Sequence, residues 1–364
     1  MPNNKKILII GNGFDLNLGR PTRYKDFYES SFCPKDYPAP LIEHLNKKWE
    51  TTSESVRWYD LENELSNYYF KLKEESSDTY GNYSEIETKI LTTIQRQTSV
   101  SIYDDILKNN APVVVSLIKQ RILKKEFSYI QLTNPDVIYN ACTRDKIAFG
   151  LIKQRLIEYF KELEKQDILE NSIAAKVAKE FLHPRNRNYI IYSFNYTPIK
   201  TSNATNKISN SKILYVHGNC QMNNIILGTK DDKFDTNYDF LQKSFDTNFN
   251  PPTLVYDLNE ANDITIFGHS LGQNDSQYLK SFFQKQSSLT PSQKKNITIF
   301  TKDENSEIEI KRSLQQMTNF NLSTLYSMNN LEIIKTDDCD SGKYDISNYL
   351  KRIQAQTSRG VSYK

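Results

Sequence analysis

The 364-residue chain is short of cysteine and histidine, with four of each. Cys33, Cys142, Cys220 and Cys339 are scattered and form no Cys-x-x-Cys pair. That spacing argues against a disulfide framework and against a thiolate zinc site, so no metal is expected. Charge of one sign is also lacking: 47 basic residues face 44 acidic ones, a net +3. Nucleic-acid binders show a basic excess or stripe, so nucleic acid is not expected as a primary partner. The pairs Lys124-Lys125 and Lys294-Lys295 stand beside acidic or Ser/Gln residues and read as solvated helix ends. Long hydrophobic runs are missing too. No stretch approaches the roughly 18 apolar residues of a membrane span. The basic start is followed by only Ile7–Ile10 before Gly11, too little for a signal peptide. The expectation is a soluble, cytoplasmic protein with no membrane partner. Aromatics, by contrast, are plentiful, with 23 Tyr and 18 Phe, and a disordered chain would lack them.

Lys6–Ile10 is a short apolar run closed by Gly11-Asn12-Gly13. Such a run suits a central parallel strand buried on both faces. Comparable runs occur at Tyr189–Phe194, Ile213–Val216, Ile264–Phe267 and Ile297–Phe300, with a sixth candidate at Leu331–Ile334. Between the first and second runs the texture changes. Leu61–Leu72, Ile86–Ile94, Pro112–Leu123, Ile147–Leu163 and Asn171–Leu182 carry apolar residues at helical spacing among Lys, Glu and Gln. The expected fold class is α/β: a doubly wound, mostly parallel Rossmann-like sheet with a large α-helical insertion. Residues 1–30 and 186–350 form the nucleotide-binding core in this reading, 31–185 the insertion and 351–364 a polar tail, frayed from Gln354. The insertion has apolar stripe enough to pack on the core and to mediate homo-oligomer formation.

Chemistry-bearing residues cluster at the strand ends, where open α/β sheets hold their ligands. The first group is Gly11, Asn12, Gly13, Phe14, Asp15 and, farther on, Gly19 and Thr22. A Gly-rich turn after a buried strand lets backbone N–H groups approach a phosphate; equally, it makes a tight strand-to-helix turn with Asp15 as helix cap. The spacing is not Gly-x-Gly-x-x-Gly. The second group is Ser193–Thr197, with Asn195 as a ligand-facing residue or a cap of a following helix. The third is His217-Gly218 at a strand end, where a general base would stand and where a lone His equally serves structure. The fourth is Gly268-His269-Ser270-Leu271-Gly272, followed by Asp275. It matches the nucleophile elbow of serine hydrolases, but that fold needs a His after the Ser, and His269 is the last in the chain. A serine hydrolase is therefore set aside. The acidic stretch Asp231-Asp232, Asp235 and Asp239 keeps a metal-dependent nuclease open as an alternative to a solvated loop.

Taken together, Gly11–Asp15 with Gly19, Thr22, Tyr24 and Phe27, then Phe194–Tyr196, His217-Gly218, and Gly268–Gly272 with Asp275, resemble the AbiH abortive-infection proteins of bacterial phage defence. A more distant resemblance is to sirtuin-like domains, whose Gly-rich opening, catalytic Asn, His-Gly and Gly-x-Ser follow in the same order at strand ends. That resemblance implies NAD as the bound nucleotide and substrate. It implies Asn195 and His217 as catalytic residues. Gly11, Asn12, Gly13, Phe14, Asp15, Thr22, Gly218, Gly268 and Ser270 would contact NAD or a related adenine nucleotide. Two departures matter. Asp15 stands where a Ser is usual, and the four-Cys zinc module is missing, with Cys220 alone between His217 and Gly268. The resemblance therefore implies a zinc-free NAD glycohydrolase acting as an anti-phage effector with an unknown phage trigger. A non-catalytic nucleotide sensor remains the alternative.

Overall fold

The computed structural model describes residues 5–51, 61–77, 141–183, 188–199, 213–231, 236–250, 253–290 and 293–358. The expected helices at Ile86–Ile94 and Pro112–Leu123, the pair Lys124-Lys125, and Asp232 and Asp235 lie outside them.

Six strands form one sheet: β1 Lys6–Ile10, β2 Tyr189–Ser193, β3 Ile213–Tyr215, β4 Asp263–Phe267, β5 Asn296–Thr301 and β6 Asn330–Lys335. All neighbours pair in parallel, in the order β3-β2-β1-β4-β5-β6. This is the strand order of doubly wound nucleotide-binding sheets. The chain leaves β1 in one direction for β2 and β3, then returns to lay β4, β5 and β6 on the other side. The order therefore reverses between β1 and β4, and a crevice opens at such a point beyond the carboxyl ends.

The helices are α1 Asn12–Asn17, α2 Tyr24–Glu29, α3 Pro40–Thr51, α4 Leu61–Ser77, α5 Ala141–Leu163, α6 Ile173–Phe181, α7 Leu254–Glu260, α8 Ser276–Gln286, α9 Glu304–Met317, α10 Leu322–Met328, α11 Thr336–Asp340 and α12 Ser347–Ser358. Successive side chains of a strand point to opposite faces, so β1 feeds two cores. Ile7 and Ile9 pack with residues of α7, α8, α9 and α10, whereas Leu8 and Ile10 pack with α1, α6 and α12. Helix α6 lies within the stretch read as insertion, yet it covers the sheet. Ser172 caps it by accepting the Ala175 N–H, and its apolar stripe Ile173, Ala174, Val177, Ala178 and Phe181 faces the strands.

A third core holds α3, α4 and α5 together through Leu41, Leu45, Leu65, Ile152, Leu156 and Phe160. It also takes in Tyr196, Cys220, Ile225, Leu227 and Leu241 from the segments beyond β2 and β3. The helical layer thus sits on the carboxyl edge of the sheet.

Two expectations need correction. Lys295 is not a solvated helix end: its ammonium is buried and donates to the carbonyls of Asn259 and Ala261, tying β5's approach to the end of α7. Nor is the tail irregular from Gln354: α12 runs to Ser358, and residues 359–364 lie outside the described ones. Ile346, Tyr349 and Ile353 recur at helical spacing and bury against the sheet, which anchors the turn beyond them.

Candidate functional site

The Gly-rich turn is first a packing device. Gly11 N–H donates to the Phe267 carbonyl at 3.0 Å and Gly13 N–H to the Gly268 carbonyl at 2.8 Å. A Cβ on Gly11 would stand 2.6 Å from His269 Cα, and one on Gly13 2.7 Å from Gly268 Cα. The glycines let the ends of β1 and β4 touch, and these two amides are committed to the protein, not turned toward a phosphate. Gly268 has φ +62°, and a Cβ there would meet Phe14 N at 2.3 Å. Phe14 is buried against Phe267, their ring centroids 5.5 Å apart, so it serves the core.

Asp15 does not cap α1. It lies inside that helix, whose cap position is Gly11, and is buried. Its Oδ2 accepts Asn195 Nδ2 at 3.0 Å and a very short bond from Thr197 Oγ1, while Arg20 Nη1 lies 3.5 Å from Oδ1. Burial outweighs these partners and pushes the Asp15 carboxyl up to about 6. Asn195 likewise caps no helix among the described residues, since residues 196–199 after it are not helical. Thr22 Oγ1 donates to Asn12 Oδ1 at 2.5 Å, closing the loop after α1.

His217 follows β3 and is buried. Gly218, at φ +68°, turns the chain so tightly that a Cβ would stand 2.0 Å from the Asn224 carbonyl oxygen. His217 Nε2 lies 2.9 Å from Asp275 Oδ1, and Lys243 Nζ lies 3.0 Å from the same oxygen and 3.3 Å from Nε2. Lys243, its side chain fully buried, also donates to Glu62 Oε2 of α4 at 2.9 Å. His269 completes the cluster: Nδ1 accepts the Leu271 N–H at 3.0 Å, so the ring carries its proton on Nε2, 3.5 Å from Asp275 Oδ2.

The charges follow from this geometry. Burial alone would strip Lys243 of its proton, but the Asp275 and Glu62 carboxylates outweigh it and hold the ammonium charged. Burial likewise opposes ionisation of Asp275, and Lys243 overcomes it and keeps that carboxyl well below the usual range. Burial, reinforced by Lys243, pulls His217 down to about 4. His217 is therefore neutral at pH 7. A carboxylate only accepts, so Nε2 carries the proton toward Asp275. Nδ1 is left buried, with no hydrogen-bond partner and a free lone pair. A neutral imidazole oriented by a carboxylate and offering its other nitrogen is the arrangement of a general base.

The structure brings Asn195 to Asp15, and Gly11 and Gly13 to Gly268. It joins Asn195 to His217 only through neighbours: Phe194 and Tyr196 pack on the His217 ring with centroids 5.3 and 6.5 Å apart. Ser270 is exposed, its Oγ accepting the Gly272 N–H at 3.3 Å, and His269 Nδ1 is engaged by the Leu271 N–H instead of the Ser270 hydroxyl. Cavities of about 480 and 20 Å³ lie against α5 and between α2 and α3, and neither is lined by Asn195, His217 or Asp275. Among the described residues no His, Cys, Asp and Glu group is arranged to hold a metal ion. None of the described helices is long and apolar enough to cross a membrane. Sequence reasoning missed Lys243 and Glu62, which carry no motif, and passed over Asp275 as a site residue although it closes the fourth motif.

The class defined here is a parallel α/β protein with a histidine–carboxylate site at its carboxyl edge. The family model for bacteriophage abortive infection AbiH matches residues 7–300, and the chain belongs to that family. Membership points to a role in abortive-infection defence against phage. No curated protein and no solved structure matches the chain.

Proposed function

We propose that the protein binds NAD and hydrolyses its nicotinamide glycosidic bond as an abortive-infection effector. The observation that carries this reading is His217, neutral, held by Asp275 at 2.9 Å, with Nδ1 unpartnered. It lies on the sheet edge where doubly wound folds hold nucleotides, and the order of motifs resembles that of sirtuin-like domains. In the reaction the C1′–N bond breaks and its electron pair goes to the nicotinamide nitrogen, which leaves neutral. A water oxygen bonds to C1′ and gives its proton to His217 Nδ1, from which it passes to solvent. The products are ADP-ribose and nicotinamide.

The charge of the site suits a cation-like transition state. The Asp275 carboxylate, held ionised by Lys243, is a negative charge that favours the positive charge developing at C1′. Asn195 would hold the ribose or the water, and Asn12, Thr22, Gly218 and Ser270 would line the nucleotide's path. The test is incubation of the purified protein with NAD and measurement of free nicotinamide. NAD retained without nicotinamide release would convert the reading to a nucleotide sensor.

A further inference from the structure

Asp15 is the residue that departs from the sirtuin-like pattern, and its surroundings give it a task. It is 3% exposed and stands on α1, between the ends of β1 and β2. One carboxylate oxygen serves Asn195 Nδ2 and Thr197 Oγ1, and the other faces Arg20. Arg20 Nη1 is in turn fixed by the Pro198 carbonyl at 3.2 Å. The loop beyond β2 is thus gathered onto one carboxylate.

We propose that Asp15 is a positioning residue that sets the orientation of the Asn195 amide, so that Asn195 Oδ1 is presented to the ligand as an acceptor for a hydroxyl donor. An ionised carboxylate accepts only, so the amide must turn its NH₂ toward Asp15 and its oxygen away. No described residue donates to that oxygen. The ligand class follows: a group with an O–H to give, the ribose diol or the attacking water, and not a carbonyl or phosphate oxygen. This inference rests on the NAD-hydrolysis reading for the identity of the ligand, but not for the orientation itself.

The experiment compares the full-length wild type with Asp15→Asn, Thr197→Val and Asn195→Ala, reading nicotinamide release, thermal melting and phage plating. An Asn at position 15 donates as well as accepts, so the Asn195 amide loses its fixed sense. Asp15→Asn is expected to lower kcat about tenfold or more with KM within about threefold, since misplacing one group costs rate more than binding. Thr197→Val, which removes the other bond to the same oxygen, is expected to stay within about threefold of wild type. Unchanged kcat in Asp15→Asn, or a loss confined to KM, overturns the proposal. Should the wild type release no nicotinamide, the NAD reading has failed and plating decides the positioning role. Loss of protection in Asp15→Asn and Asn195→Ala, with Thr197→Val protecting, supports it; full protection by Asp15→Asn overturns it.

The wild-type pH profile needs no variant to fold. The groups facing Asp15 are Arg20, Asn195 and Thr197, with Tyr215 near. Protonated Asp15 can donate to Asn195 Oδ1, so turnover should fall below about pH 6, well above the titration of His217 near 4. A profile flat down to about 4 overturns the proposal.

Discussion

Asp145 in the helical layer and Asp275 at the sheet edge hold comparable places, yet titrate in opposite directions. Asp145 is fully buried and its hydrogen bonds come from neutral donors, the Leu41 N–H at 2.9 Å, the Tyr68 hydroxyl at 2.5 Å and the Tyr238 hydroxyl at 3.3 Å, with the Arg144 charge the smallest influence on it. Burial outweighs them and raises its carboxyl above the ordinary range. Asp275 keeps a fifth of its side chain exposed and faces an ammonium and two imidazoles, and it is held low. The first carboxylate fastens α3, α4 and α5 to the Tyr238 segment. The second leaves a neighbour's nitrogen unpaired and ready. Burial alone does not set the direction in which a carboxyl titrates; the kind of partner does.

The comparison breaks most visibly at His217. His217→Ala should lower NAD turnover by roughly 10²–10⁴-fold while the melting temperature holds. Full turnover in that variant would eliminate the mechanism. Asp145→Ala should do the reverse. It leaves Leu41 N–H and two tyrosine hydroxyls buried without an acceptor, a loss of about 3 kcal/mol in urea unfolding. Per folded molecule, its turnover should survive.

The pH dependence of stability sharpens the contrast further. Asp15 is raised from 3.8 to about 6, so the folded state keeps a proton that the unfolded chain has lost, and its contribution falls as pH rises from about 4 to 6. His217 is lowered from 6.5 to about 4, so the unfolded chain binds the extra proton, and its contribution rises over the same window. The two offset in the wild type. In Asp15→Asn only the His217 trend remains, and the variant should gain on the wild type by about 1.4 kcal/mol per pH unit between 4 and 6. Urea unfolding at pH 4, 5 and 6 checks the slope. The smallest effect belongs to Ser270→Ala, which removes one exposed acceptor for Gly272 N–H and should change stability by less than about 0.5 kcal/mol. Covalent labelling of Ser270 by a fluorophosphonate would contradict its placement here.

The strands were legible because burial on both faces writes an apolar run. Lys6–Ile10 and Leu331–Ile334 are read almost to the residue, since Gly, Asn or a charge stops each one. The His217 and Gly268 motifs were legible because turns with positive φ demand glycine. Lys243 and Glu62 were not, because a buried ion pair is made by two distant segments and each member looks like any solvated charge. Of the two readings of Asp15, the cap does not hold, for a related reason. A carboxylate in the first turn of a helix is ordinarily stabilised by that helix's own N–H groups, and here Asn195 and Thr197 take it instead. Of the two readings of the Gly11 turn, the packing one describes the Gly11 and Gly13 amides, which donate to the Phe267 and Gly268 carbonyls.

The helix α12 lies beyond residue 300, where the match to the family ends. Its Tyr349 and Ile353 cover Leu8, Ile10 and Phe267, and Lys6 Nζ donates to the Ile353 carbonyl. A protein ended at residue 300 would lose β6 and α9 to α12 together, and would expose the face of the strand that carries the Gly11 turn. Loss of solubility in such a shortened form would report an uncovered sheet face, one that reaches Ile10 and Phe267 at the carboxyl ends of β1 and β4.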